Sequence, residues 1–216
     1  MVVVKLSDNL IMAATEWPTN AAMIADMHRL GYLRAEDRIL DPTYGRGTWW
    51  RVWTPPFLTA RVRGSADPDW DFTRMEYEDC VFDAITFDPP YVSPGGRNTS
   101  TLPAFQGAYG MADTGSPEDV QVDINRGLAE CYRVVKPGGI VLVKCQDYVT
   151  SGKLWLGTHF TLTAALNIGY HVVDRIEHIS GPRPQPERPG PQKHARRNLS
   201  TLFVLRRPKR SKCHAE

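Results

Sequence analysis

Two adjacent prolines, Pro89 and Pro90, follow an apolar run over residues 81–87 with only Asp88 between them. The run Val81, Phe82, Asp83, Ala84, Ile85, Thr86, Phe87 has the character of a buried strand. Each proline lacks a backbone donor and fixes its own φ, so the pairing ladder stops there. The chain is forced into a stiff, extended turn. A carboxylate (Asp88) opens that turn and an aromatic ring (Tyr91) closes it. Such a turn can hold an acceptor and a flat face beside a planar amine, and rigid positioning is what amine chemistry requires. An ordinary strand-ending turn has the same form, so the remaining chain must decide between the two readings.

Bulk properties narrow the class. A chain of 216 residues suits one domain with a sizeable core, and 42% hydrophobic with 23% charged content is ordinary for a globular protein. No apolar stretch approaches the roughly 20 residues that span a bilayer. The opening Met1-Val2-Val3-Val4-Lys5 lacks the form of a secretory signal. Cys80, Cys131, Cys145 and Cys213 are scattered, without a Cys-x-x-Cys pair or a Cys/His cluster. Neither a metal site nor a disulfide framework is expected, and a reducing cytoplasm fits best. The charge is unevenly spread. Residues 183–212 carry ten lysines and arginines against one acid, Glu187, whereas the first 182 residues carry 16 basic and 22 acidic residues. A basic end on an acidic body suits either a polyanionic partner or a solvated tail.

Periodicity places the elements. A helix is expected over 18–30, ended by Gly31, with a short strand over 38–41 after it. Thr48 is expected to cap a second helix, closed early by Pro55 and Pro56. Further strands are expected over 60–66 and 81–87. Residues 92–116, rich in Gly, Ser, Thr and Pro, form a long loop containing Phe105, Tyr109 and Met111. Ser116, Pro117, Glu118 and Asp119 have the form of a helix start, and that helix runs to Val135. The turn Lys136-Pro137-Gly138-Gly139 precedes a strand over 140–144, a helix over 157–167 and strands over 170–179 and 199–205. The last strand is read as antiparallel. Strands alternating with helices predict a three-layer α/β domain on a mostly parallel sheet. Asp41 and Asp88 then share the strand-end edge, where ligands sit in such sheets.

The second signal is the turn Asp41-Pro42-Thr43-Tyr44-Gly45-Arg46-Gly47-Thr48. Gly45 and Gly47 permit positive φ and close approach to a ligand. The amides of a following helix would favour an anionic group. Trp50 stands where a dinucleotide fingerprint has its third glycine, and there is no phosphate-binding lysine of the Walker kind.

Together the two turns resemble the S-adenosylmethionine-dependent amino-methyltransferases that act on nucleic-acid bases. These carry a glycine loop of the form Asp-Pro-x-x-Gly-x-Gly-Thr and an Asp-Pro-Pro-Tyr motif, supplied here in that order with the two aspartates 47 positions apart. The 136–139 turn is also familiar in methyltransferases of this fold, and the resemblance covers most of residues 17–205. It implies a Rossmann-like methyltransferase fold with a mostly parallel seven-stranded sheet. Residues 1–207 would be one domain and 208–216 a basic, flexible tail. The cofactor implied is S-adenosylmethionine. Asp41, Pro42, Thr43, Gly45, Gly47 and Thr48 would surround its methionine end, and Asp67, at the end of the second strand, would hold its ribose. Asp71 and Phe72, or alternatively Asp69 and Trp70, would flank its adenine. Trp17, Pro18 and Thr19 would close over it.

The resemblance also implies the chemistry. Asp88 and the carbonyl of Pro89 would accept hydrogen bonds from an exocyclic amine. Pro90 would stiffen the turn, and Tyr91 would stack on a base that has left its duplex. Asp at the first motif position favours N6 of adenine, since N4-cytosine enzymes of this family more often have Ser there. RNA bases and a catalytically silent nucleic-acid-binding subunit are the alternatives. No large target-recognition domain follows. Sequence reading would therefore fall to the 92–116 loop, to the 181–197 segment with Lys193, His194, Arg196 and Arg197, to a homodimer, or to a separate specificity subunit. DNA is the expected partner, with no metal and no membrane, in the cytoplasm of a bacterium or a phage-infected host.

Overall fold

The computed structural model describes residues 17–62, 67, 69–91, 116–179, 193–195 and 197–213. Residues 92–115 of the expected long loop, and Arg196 of the basic segment, lie outside the described residues. The elements, in chain order, are α1 (Asn20–Arg29), β1 (Ile39–Asp41), a 3-10 turn (Thr48–Trp50), β2 (Leu58–Ala60), β3 (Phe82–Phe87) and α2 (Pro117–Val134). They continue with β4 (Val135–Cys145), β5 (Tyr148–Thr150), β6 (Lys153–Trp155), α3 (Gly157–Ile168), β7 (His171–Ile179) and β8 (Leu199–Arg206).

Local chemistry sets the helix starts. The Thr19 hydroxyl accepts from the Ala22 amide at 3.1 Å and opens α1. At α2, Ser116 and Asp119 form a reciprocal capping box, with Pro117 at the first position. Val120, Ile124, Leu128 and Cys131 then recur on its buried face.

The main sheet has six strands in the order β2-β1-β3-β4-β8-β7. The first four are mutually parallel, and β8 runs antiparallel between β4 and β7. Among the described residues this is one strand fewer than the seven expected. Of the strand expected over 60–66, Ala60 ends β2, which pairs with β1 through Leu58, Thr59 and Ala60, and residues 63–66 lie outside the described residues. The antiparallel course of β8 follows expectation. Its interior place explains why Ser200 through Leu205 are all buried. The expected 136–139 turn lies within β4, where pairing jumps from Phe82–Val135 to Ala84–Ile140.

Two apolar clusters cover the sheet, and strand alternation assigns residues to each. Val141, Val143, Phe87, Phe203 and Leu205 join Leu128 of α2 and Ala165 of α3 in one cluster. Leu142, Ala84, Leu202 and Val204 join Met23, Ile24 and Met27 of α1, with Trp49 and Trp50, in the other. Each fully buried large side chain of this kind contributes about 2 kcal/mol. Among the described residues, no helix is long and apolar enough to cross a membrane.

The C-terminal end departs from expectation in two ways. Cys80 and Cys213 form a disulfide across 133 positions, where no disulfide was expected. Arg207, only 3% exposed, donates to the carbonyls of Tyr132, Val135 and Lys212 at 2.7, 2.8 and 2.6 Å and to Ser211 Oγ at 2.9 Å. The guanidinium thus satisfies carbonyls left open at the C-terminal end of α2. Residues 208–213 are therefore tied back against the domain rather than trailing as a free tail. Arg207→Ala should lower the free energy of urea unfolding by about 3 kcal/mol, while exposed Arg206→Ala should change it by less than about 0.5 kcal/mol.

Candidate active site

The site is assembled where β1 and β3 end side by side, in register through Ile39–Ala84 and Leu40–Ile85. Asp41 is the last residue of β1 and Asp88 the first beyond β3. One hydrogen bond joins their turns: the Asp88 amide donates to Thr43 Oγ1 at 2.9 Å. The glycine turn and the Asp-Pro-Pro-Tyr turn are therefore one structure.

The glycine turn folds around the Asp41 carboxylate. Oδ1 accepts from the Thr43 amide at 3.0 Å, and Oδ2 accepts from the Trp50 indole N–H at 2.7 Å. Asp41 is 4% exposed, and burial raises its pKa to about 7, against the pull of the Trp50 and Thr43 hydrogen bonds. The nearby Asp88 charge adds to the rise. Gly45 and Gly47 take φ of 55° and 65°, as the sequence suggested. At Gly47 a Cβ would also lie 2.5 Å from the Tyr44 hydroxyl. The helix expected after the turn is only the single 3-10 turn Thr48–Trp50, preceded by Gly47, with no side-chain cap. Thr48 is not a cap, and no helix of useful length offers its amides to an anion there.

The Asp88 side chain stays partly open to the cleft, but its Oδ1 is fully covered and has no hydrogen-bond partner. The Trp49 indole N–H is likewise covered and without a partner. Burial raises the Asp88 pKa, while the Lys144 ammonium and the neighbouring Trp49 indole draw it down. The indole lies near the carboxylate without meeting hydrogen-bond geometry, so its effect is polar stabilisation and not a bond. Trp49 and Asp88 both line the opening beside the glycine turn.

Two clefts adjoin there and share Thr43. The first, about 120 Å³, is lined by Asp41, Thr43, Gly45, Thr48, Trp49 and Asp88. The second, about 220 Å³, is lined among others by Pro42, Trp70, Asp71, Phe72, Pro90 and Arg126. Its wall is held firmly. Trp70 donates to the Pro42 carbonyl at 2.9 Å, and Phe72 packs edge-on against Phe87 at 5.4 Å. Asp71 Oδ1 accepts from the Thr73 amide and hydroxyl, both at 2.8 Å. Arg133 of α2 anchors the following segment through the Met75 and Tyr77 carbonyls at 2.9 and 2.6 Å.

Several expected residues stand elsewhere. Asp67 lines neither cleft; Arg61 pairs with it at 2.7 Å while lying 4.2 Å over the Trp70 ring. Trp17 is buried with its indole N–H on Asp26 at 2.7 Å. Pro18 and Thr19 are exposed at the start of α1, and none of the three lines a cleft. Pro89 is buried, and Tyr91 is half-buried against the core.

Lys193, His194 and Arg197 are exposed. His194 Nε2 donates to the Gly152 carbonyl at 3.0 Å, and Gln146 donates to the Arg197 carbonyl at 3.4 Å. Because β7 ends at Ile179 and β8 begins at Leu199, paired with each other, this segment lies on the same sheet edge as Asp88. Among the described residues, no group of three or more His, Cys, Asp and Glu could hold a metal.

Sequence reasoning missed Trp49, Trp50 and Lys144. The paired tryptophans directly behind the glycine turn were the available signal for the first two. Gly47→Ala should destabilise the protein by about 2–3 kcal/mol, through backbone strain plus the Tyr44 clash. Gly31→Ala, also at positive φ but with nothing within 4 Å of an added Cβ, should cost only about 1 kcal/mol. Thermal and urea denaturation of the two variants check the difference.

No protein-family model and no curated protein matches this sequence. Solved structures do resemble it. A candidate sarcosine dimethylglycine methyltransferase from Galdieria sulphuraria matches with a TM-score of 0.54 and 12% identity, over 88% of this chain and 85% of its own. The [4+2]-cyclase SpnF matches with a TM-score of 0.51 and 13% identity, over 87% and 81%. TTHA0409, a candidate DNA modification methylase from Thermus thermophilus solved with S-adenosyl-L-methionine, matches with a TM-score of 0.42 and 14% identity, over 65% and 54%. The chain spans about half the length of TTHA0409. At identities this low, what the chain shares with the first two of these proteins is the fold, a mixed α/β domain.

Proposed function

We propose that this chain transfers a methyl group from S-adenosylmethionine to the exocyclic amine of a nucleic-acid base, with N6 of adenine in DNA as the favoured acceptor. The observation that carries the reading is the hydrogen bond from Asp88 to Thr43, which joins a glycine turn and an Asp-Pro-Pro-Tyr turn at one opening. The fold shared with a candidate methyltransferase is in keeping with it.

The residues present suit that cofactor. Asp41, Thr43 and Gly45, which line the first cleft, would hold its methionine end, and the ionised form of Asp41 would favour a cation. Trp70, Asp71 and Phe72, which line the second cleft, would hold its adenosine. When bound, S-adenosylmethionine supplies an electrophilic methyl group on a sulfonium.

The chain's own residues do the rest. An exocyclic amine is a weak nucleophile because its lone pair is delocalised into the ring. Asp88, as a carboxylate, accepts one amine proton in a hydrogen bond, and the Pro89 carbonyl accepts the other. Both bonds draw the nitrogen toward tetrahedral geometry and free the lone pair. Pro89 and Pro90 hold those acceptors still, since neither has rotational freedom in φ. Tyr91 presents a ring on which an everted base stacks. After transfer the extra proton on nitrogen leaves to Asp88 or to water.

Lys193 and Arg197, exposed on the catalytic edge, suit phosphate contacts beside the everted base, and His194 packs there against the β5–β6 hairpin. Phosphate attraction of this kind positions a duplex without reading its sequence.

Incubation with methyl-labelled cofactor and either DNA or RNA, followed by digestion to nucleosides, tests the reading. Label should accumulate in 6-methyladenine from DNA. Label only in RNA would overturn the substrate assignment, and none in any base would overturn the activity. Asp88→Ala should leave cofactor binding measurable while lowering transfer by about a hundredfold or more. Lys193→Ala combined with Arg197→Ala should weaken duplex binding and reduce the slope of log K against log salt by about 2, as read by fluorescence anisotropy across a salt series.

A further inference from the structure

Lys144 is 5% exposed, which is rare for a lysine and costly unless the ammonium has a partner. It is the penultimate residue of β4, the parallel neighbour of β3. Register fixes where it lies. Phe87 partners Val143, so the residues that follow each, Asp88 and Lys144, leave the two strands side by side. Alternation gives them the same face. Phe87 and Val143 belong to the α2 cluster, whereas Ala84 and Leu142, in phase with Asp88 and Lys144, belong to the cluster containing Trp49. The Lys144 ammonium also lies 5.8 Å from the centre of the Tyr91 ring. One buried cation therefore serves both ends of the Asp-Pro-Pro-Tyr turn.

The other charged and titratable groups around Asp88 do not do this work. From the glycine turn, Asp41 is a like charge, Tyr44 carries only a phenol and Arg46 is exposed to solvent screening. Tyr91, on the same turn as Asp88, carries a phenol. The 3-10 turn contributes Trp49, a polar but uncharged group. Among the described residues, Lys144 is the nearby cation shielded from water.

We propose that Lys144 is a positioning residue that holds Asp88 as a carboxylate and steadies Tyr91 beside it, so that the opening accepts protons in hydrogen bonds and does not donate them. This rests on the reading of Asp88 as the amine acceptor. An ionised carboxylate is acceptor-only, whereas its protonated form presents a donor. A target amine offers donors. Held ionised, Asp88 matches an exocyclic amine and disfavours a ring carbonyl at the same place. Lys144 would thus select the substrate class without touching the substrate, by setting the polarity of the group that does.

The test follows the Asp88 carboxyl directly. In the full chain labelled with carbon-13 at aspartate carboxyls, the Asp88 signal is identified by its loss in Asp88→Asn and titrated. Lys144→Met should raise its midpoint by about one pH unit or more, because an opposite charge is removed. Lys144→Arg, which keeps the charge, should stay near the parent value. The acidic limb of the pH profile of methyl transfer should move upward with the midpoint in Lys144→Met and be restored in Lys144→Arg. If Lys144→Met does not fold, Lys144→Gln carries the same expectation. An unmoved midpoint in the neutral variant, or an equal shift in Lys144→Arg, overturns the proposal. The reading beneath it fails separately, when transfer survives Asp88→Ala.

Discussion

One short hydrogen bond organises the functional half of this molecule. The Asp88 amide would have no ladder partner once the two prolines end β3, and Thr43 of the neighbouring turn accepts it at 2.9 Å. The bond fixes the spacing of two loops that sequence places far apart. It also places Asp88 close enough for its charge to be felt at Asp41. Two carboxylates at one opening repel, and both are raised by burial. The fold answers with Trp50 on Asp41 and with Lys144 beside Asp88. A cationic ligand would complete the balance, which is the physical link between the site's electrostatics and a sulfonium donor.

The scaffold holds this arrangement from both faces. Strand alternation sends Val141 and Val143 to one cluster and Ile140 and Leu142 to the other, so β4 is pinned on both sides before it reaches Lys144. The wall of the second cleft has little regular structure of its own. It depends on Arg133, Glu130 and the Trp70–Pro42 contact to stay in place. At the opposite end of β4, Arg207 and the Cys80–Cys213 bridge fasten the last described residues to the end of α2. Closing a loop that long constrains the unfolded chain strongly, by about 4–5 kcal/mol in a chain-entropy view.

What was legible in the sequence was mostly local. The stop of β3 followed from proline chemistry, and the start of α2 from its capping residues, because each is decided within a few positions. The positive φ at Gly45 and Gly47 was equally local. What was hidden depended on distant partners. Asp67 is a free carboxylate in sequence, but Arg61 occupies it in the fold. Lys144 ends an apolar run and so suggests a solvated strand end; only the register with β3 shows it buried beside Asp88. The scattered cysteines gave no hint that Cys80 and Cys213 meet, since their spacing reports nothing about a tail returning to α2. Of the strand expected over 60–66, Ala60 closes the edge strand β2, and residues 63–66 lie outside the described residues.

The proposed activity requires the joined turns to hold an amine-accepting carboxylate beside a methyl donor. Base-resolution mapping of DNA from cells expressing the chain tests it most directly, with cells expressing Asp88→Ala as the reference. Methylated adenines are expected in the first DNA and none in the second. Unmodified DNA from both, or equal modification in both, would contradict it.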